Sequence, residues 1–195
     1  MQIVAHRRNT IADLQATPLE HGIEVDIRSQ GERLIIHHDP FADGGDFEAW
    51  LDHYRHALLI LNTKEEGLEQ RLIGLMADRG IERWFFLDQS FPFLIRTART
   101  GERRCAVRVS EYESVETALA VAPLVDWVWV DCFTRFPISP VEARRLTDAG
   151  LKLCLVSPEL QGRPAETSVP EMRAIVETLG APIEAVCTKR ADLWL

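Results

Sequence analysis

Two carboxylates separated by one residue, Glu24 and Asp26, sit inside the apolar run Ile23–Arg28. On a strand, residues two apart share a face. Ile23, Val25 and Ile27 would then take the other face, against helices, and both carboxylates would point the opposite way. Like charges held close together and out of water repel, and something must neutralise them. A hard divalent cation with oxygen ligands does so; a salt bridge to Arg28 or another arginine does so equally well. Two histidines are expected nearby: His6 at the end of the first apolar run, and His38 at the end of Arg33–His38. A pair of imidazoles beside a cation suits cleavage of a P–O bond, with one taking a proton and the other giving one to the leaving oxygen. Arg7 and Lys64 could supply charge to a phosphate. Their alternatives are pairing with Glu24 or Asp26 for Arg7, and a solvated charge at a helix start for Lys64. His37 is expected on the opposite face of the strand that ends in His38.

These residues need elements that bring them together. Short apolar runs at Ile3–His6, Ile23–Arg28, Leu58–Asn62, Trp84–Asp88, Cys105–Val109, Trp127–Cys132, Leu151–Val156 and Ala185–Thr188 read as strands. Between them Thr10–His21, Glu65–Arg79, Ser114–Ala122, Pro140–Ala149 and Pro170–Leu179 carry apolar residues at helical spacing. Ser139 before Pro140 marks a helix start, and Gly80, Gly150 and Gly180 mark stops. Strand–helix alternation predicts parallel strands. Eight of them predict a compact TIM-type (β/α)8 barrel, with an open doubly wound sheet as the alternative. The chain falls below the usual ~250 residues of such a barrel, so its connections must be tight. Arg33–His38, after Ser29-Gln30-Gly31-Glu32, predicts a hairpin return over the second strand. In a barrel, chemistry gathers at the carboxyl ends of strands, where this chain also has Asn62, Asp88, Ser90, Asp131 and Thr188-Lys189.

Residues 1–195 read as one domain, with no linker or internal repeat. The net charge of -8 argues against a nucleic-acid-binding surface, which needs a basic footprint. An acidic chain that handles phosphate needs a local cation. Cys105, Cys132, Cys154 and Cys187 have no metal-ligand spacing and lie in apolar runs, so they are expected buried and reduced. With no secretory pattern and no run long enough to span a bilayer, the expected location is the cytoplasm.

Ala5-His6-Arg7 followed by Asn9-Thr10, then Glu24-Val25-Asp26-Ile27-Arg28, then His38-Asp39-Pro40, resemble the three leading motifs of glycerophosphodiester phosphodiesterases. Ser90-Phe91 and Thr188-Lys189-Arg190-Ala191-Asp192 resemble later elements of that family. The resemblance implies a TIM-type barrel using a divalent cation, Mg²⁺ or Ca²⁺. It implies hydrolysis of a small-molecule phosphodiester to an alcohol and a phosphomonoester. By the same resemblance His6 and His38 are the catalytic histidines, Glu24 and Asp26 metal ligands, and Arg7 and Lys64 phosphate contacts. Asn62 stands where the family has a third metal carboxylate, and Arg8, Lys189 and Ala191 replace its Gly, Asp and Pro. A neutral residue at 62 is expected to weaken cation binding.

Three other chemistries suit the same residues. Attack by a neighbouring substrate hydroxyl would give a cyclic phosphate. A barrel that binds phosphate ligands without turnover is another, and a Schiff base on Lys64 a third.

Overall fold

The computed structural model describes all 195 residues. The chain alternates strand and helix. It begins with β1 (Gln2–Ala5), α1 (Ile11–Ala16), β2 (Gly22–Gln30), β3 (Arg33–Ile36), β4 (Gly45–Asp46) and α2 (Phe47–Leu51). It continues through β5 (Leu58–Thr63), α3 (Glu69–Asp78), β6 (Trp84–Leu87), α4 (Phe91–Ala98), β7 (Ala106–Val109), α5 (Val115–Val121) and β8 (Trp127–Val130). It ends with α6 (Pro140–Asp148), β9 (Lys152–Val156), a 3-10 turn at Pro158–Gln161, α7 (Ala165–Thr178), β10 (Ala185–Thr188) and α8 (Ala191–Trp194).

The result is an α/β fold around a curled sheet. β1 pairs in parallel with β2 and with β10. From β2 the parallel order runs on through β5 to β6; from β10 it runs through β9 and β8 to β7. The two arms meet at β6 and β7. There the contact is a single parallel bridge, Phe86 to Cys105, with the Phe86 N–H donating to the Arg104 carbonyl at 2.8 Å. The rings of Phe85 on β6 and Trp127 on β8 stack at 4.3 Å on the concave side of this seam. The expected hairpin forms: β3 returns antiparallel to β2, with Ile36 opposite Ile27, and β4 adds to it.

Two apolar clusters follow from strand alternation. Ile23, Val25 and Ile27 join Leu59, Leu61, Val128 and Val130 in the large cluster between sheet and helices. Val4, Leu58, Ile60, Phe85, Trp129, Cys154 and Cys187 fill the concave side. Gly22 lies between Val4 and Leu58, where a Cβ would meet the Val4 Cγ2 at 2.9 Å. Only glycine lets β2 approach its neighbours so closely at that level.

Helix boundaries differ from the sequence reading in instructive ways. Ser139 caps α6 as expected, in a reciprocal capping box with Glu142. Residues 65–68 form a turn, so α3 starts at Glu69 instead of Glu65. The helix expected from Pro170 begins at Ala165, with Pro170 inside it. Pro170 is the sixth residue of α7, so the helix forgoes one backbone hydrogen bond, to the Glu166 carbonyl, near its start. α2 and α4, of five and eight residues, were not expected, although Asp46 caps the first and Ser90 with Pro92 opens the second.

All four cysteines are free and buried. Burial raises every thiol, Cys105 to about 12. The thiolate is the reactive form. A thiol reagent should therefore modify none in the native protein and all of them after denaturation. Fast labelling of a single cysteine in the native state would contradict this. No helix is long and apolar enough to cross a membrane.

Candidate active site

The site lies at the carboxyl ends of β1, β2 and β5. β1 and β2 pair with Ala5 opposite Ile23, which brings His6, the next residue, beside Glu24. β2 and β5 pair with Asp26 opposite Asn62. Glu24 and Asp26 are fully buried on the concave face, as their alternation required.

Three of the pair's four carboxylate oxygens accept hydrogen bonds, and the fourth, Asp26 Oδ1, faces the Lys64 ammonium without one. Asn62 Nδ2 donates to Glu24 Oε1 at 2.7 Å, and the Arg7 backbone N–H donates to Glu24 Oε2 at 2.7 Å. Asn9 Nδ2 donates to Asp26 Oδ2 at 2.8 Å, and Asn9 Oδ1 accepts from the Asp26 backbone N–H at 3.1 Å. Lys64 Nζ lies 3.2 Å from Asp26 Oδ1, and Arg7 Nε lies 3.5 Å from Asp26 Oδ2. Arg7 has φ 51°, a left-handed conformation that turns its N–H back onto Glu24. Arg7 faces Asp26, one of its alternatives in the sequence, while Lys64 is no solvated charge at a helix start but lies against Asp26, a partner the sequence did not name. Arg28 forms no such pair. It donates to the carbonyls of His38 and Lys64, tying the hairpin end to the end of β5.

His6 Nε2 sits 3.8 Å from Glu24 Oε2. Burial, followed by the charge of Arg7, lowers the imidazole to about 3. Burial, followed by the neighbouring Asp26, pushes the Glu24 carboxyl well above its usual range. The ordinary order of proton affinity is thus reversed: at acid pH the carboxyl holds its proton where the imidazole has none.

His38 lies beyond the end of β3, half-exposed, with Nδ1 2.7 Å from Asp39 Oδ1. The bond to His38 holds the Asp39 carboxyl below its usual range. His37 is not on the strand's opposite face, because β3 stops at Ile36. Its Nδ1 instead bonds the backbone of Asp39, closing the turn that carries His38.

A divalent cation needs several oxygens aimed at one point. Here the oxygens of Glu24 and Asp26 are engaged by Asn62, Arg7, Asn9 and Lys64. Asn62 Oδ1, Asp26 Oδ1 and His6 Nδ1 are buried here without a hydrogen-bond partner. No three His, Cys, Asp or Glu side chains come together as a cation cage. Glu24, Asp26 and Asn62, the residues expected to hold a divalent cation, lie together, with the Asn62 amide and the Lys64 ammonium beside the carboxylates.

Some partners were not foreseen. Asp88 on the far side of Lys64 lies 3.3 Å from its Nζ and also pairs with Arg108. Arg108 reaches Asp131 at 2.5 Å, and Gln161 Nε2 donates to Asp131 Oδ1 at 2.6 Å. Charges therefore alternate from Asp26 through Lys64, Asp88 and Arg108 to Asp131 across the carboxyl ends of five strands. Glu159 accepts from Thr188 Oγ1 at 2.6 Å and from the Lys189 N–H at 2.9 Å, fixing the end of β10.

Comparison with solved structures matches this architecture over the whole chain. A glycerophosphodiester phosphodiesterase from Agrobacterium tumefaciens superposes with a TM-score of 0.68, covering 99% of this chain and 97% of that one. The fold is that of the glycerophosphodiester phosphodiesterases. A glycerophosphoryl diester phosphodiesterase from Parabacteroides distasonis gives 0.65, covering 96% of this chain and 82% of its own. Sequence identities are 17% and 13%. No protein-family model and no curated protein matches the chain by sequence.

Proposed function

We propose that the chain is a phosphoric diester hydrolase that cleaves a small phosphodiester to an alcohol and a phosphomonoester. Glycerophosphodiesters are the substrates to try first. One observation carries this reading. In a fold shared with glycerophosphodiester phosphodiesterases, His6, Arg7, Glu24, Asp26 and Lys64 gather at one strand-end mouth. We read the curled sheet as a compact (β/α)8 barrel that closes at the Phe86–Cys105 bridge.

In this reading the substrate phosphate lies against Lys64 and Arg7, whose charges offset those of the phosphoryl oxygens. Water attacks phosphorus as the bond to the alcohol oxygen breaks. His6, neutral and beside Glu24, takes the proton from the water. A bound phosphate raises the proton affinity of His6, because a nearby negative charge favours the imidazolium. His38, half-exposed at the rim, gives a proton to the departing alcohol.

The test is turnover of a panel of glycerophosphodiesters, with phosphorus NMR of the product. A phosphomonoester supports hydrolysis. A cyclic phosphate moves the reaction to attack by a substrate hydroxyl, and binding without any product makes the chain a phosphate-ligand-binding barrel. His38→Ala should lower turnover by about 10²-fold or more. His53, exposed and with its ring bonded to Gln15, is the proper control, and its replacement should leave turnover unchanged. His37→Ala should cost an intermediate amount, because it loosens the turn under His38. Full activity in His38→Ala would remove it from the mechanism.

A further inference from the structure

We infer that the Lys64 ammonium takes the part of a divalent cation in this site, so that the protein binds phosphate without a metal ion. The inference rests on the site being a phosphate-binding centre, and not on its turning over a diester. Two fully buried carboxylates need about two positive charges close by. Lys64 and Arg7 supply them at 3.2 and 3.5 Å from Asp26. A third carboxylate would leave an excess negative charge for a cation to neutralise. Position 62 instead carries a neutral amide whose Nδ2 points at Glu24 and fills the direction from which a cation would approach.

Lys64 is built into this place from several sides. Its backbone N–H donates to the Ile27 carbonyl at 3.0 Å, and its carbonyl accepts from Arg28 Nη1 at 3.1 Å. Its ammonium lies between Asp26 and Asp88, with the side chain only 14% exposed. A divalent ion at Asp26 would have to displace this ammonium and rotate the Asn62 amide. An ammonium between two carboxylates can still turn a proton toward a phosphate oxygen, because it has three donors. Arg7, 39% exposed, offers its guanidinium to the same ligand.

The experiment is calorimetric, on the intact protein freed of metal by a chelator. Mg²⁺ and Ca²⁺ titrated alone should give no saturable heat. Inorganic phosphate should bind equally well with and without chelator. Lys64→Met should weaken phosphate binding by roughly tenfold or more, since a charge-assisted contact is lost. Asn62→Asp adds a carboxylate without removing the ammonium and should give a saturable Mg²⁺ heat where the unaltered chain gives none. It keeps the test open if Lys64→Met does not fold. Phosphate binding that disappears in chelator and returns with Mg²⁺ or Ca²⁺ would overturn the inference. So would saturable cation binding by the unaltered chain, or the absence of phosphate binding under every condition. Phosphate binding without metal, alongside failure to cleave any diester, would uphold this inference and refute only the hydrolase reading.

Discussion

Replacing His6 with alanine is expected to lower turnover of a cleaved diester by about 10²–10⁴-fold, the usual contribution of one positioned proton-transfer group. The fold should survive, since His6 Nδ1 has no hydrogen-bond partner and Nε2 only faces Glu24 at 3.8 Å. The same variant should change the acid stability of the protein, and the sign follows from linkage. Native His6 titrates at about 3, against 6.5 for an ordinary histidine. Between those values the unfolded chain holds a proton at this position and the native chain does not. The stability associated with neutral His6 is therefore complete above about 6.5 and drains away as pH falls toward about 3. His6→Ala removes that drain, so the variant should lose less stability than the parent between neutral and acid pH. Glu24 acts in the opposite sense. Its raised pKa makes the native state relatively more stable in acid, and that advantage is lost as pH rises through the folded value. Urea titrations of parent and variant at several pH values would separate the His6 effect from that of Glu24. Unchanged turnover would end the acid–base role of His6. A variant that loses activity but keeps the parent's acid sensitivity would show that the native imidazole is not held neutral.

The part of this site written into local sequence is the part that depends on alternation. Glu24 and Asp26 between Ile23, Val25 and Ile27 could face only one way once those residues packed outward, and they do. The order of strands and the hairpin after β2 were equally readable, because apolar runs and turn residues are contiguous. What could not be read was pairing across strands. Arg108 shows the difference. Within Ala106-Val107-Arg108-Val109 it is a charged residue in a buried strand, a signal that something must neutralise it. Nothing in that segment points to Asp88 or Asp131, which come from the two neighbouring strand ends. Asn9 is similar, a loop amide whose role appears only when β2 lies beside it. The divalent cation is the clearest case of a residue pattern that sequence leaves open. Paired carboxylates demand positive charge, but the demand is met equally by Lys64 and Arg7, and only geometry tells these apart. The short helix α4 was hidden for a different reason. Its sequence, Phe-Pro-Phe-Leu-Ile-Arg-Thr-Ala, is almost wholly apolar at its start, with Pro92 in the first turn, where proline is tolerated.

The largest loss of stability is expected from Arg108→Ala. Asp131 is 2% exposed, and burial raises its carboxyl even with Arg108 at 2.5 Å. Burial disfavours the Arg108 charge too, but Asp88, Asp131 and Glu113 outweigh it and raise the guanidinium overall. Removing the guanidinium leaves Gln161 as the side-chain partner of Asp131 and Lys64 as the cation beside Asp88. Breaking a buried ion pair from one side costs about 3–5 kcal/mol, because the remaining charge stays out of water. For a domain of this size that is a fall in Tm on the order of 10 °C. Arg108→Lys should recover only part of it, since one ammonium cannot fork between two carboxylates as the planar guanidinium does. The deficit should also shrink in acid. Without Arg108 the Asp131 carboxyl loses the charge that opposed its upward shift, so it takes up a proton at higher pH and the buried charge disappears. Urea unfolding of parent and variant at neutral and at mildly acid pH measures both effects. A gap below about 1 kcal/mol at neutral pH would mean that the network behaves as an exposed surface bridge. A gap that widens in acid would mean that the buried carboxylate is not what the arginine stabilises. Because Asp88 is shared, the variant should also weaken phosphate binding. Freed from Arg108, Asp88 holds Lys64 more tightly, and the ammonium has less to offer a ligand.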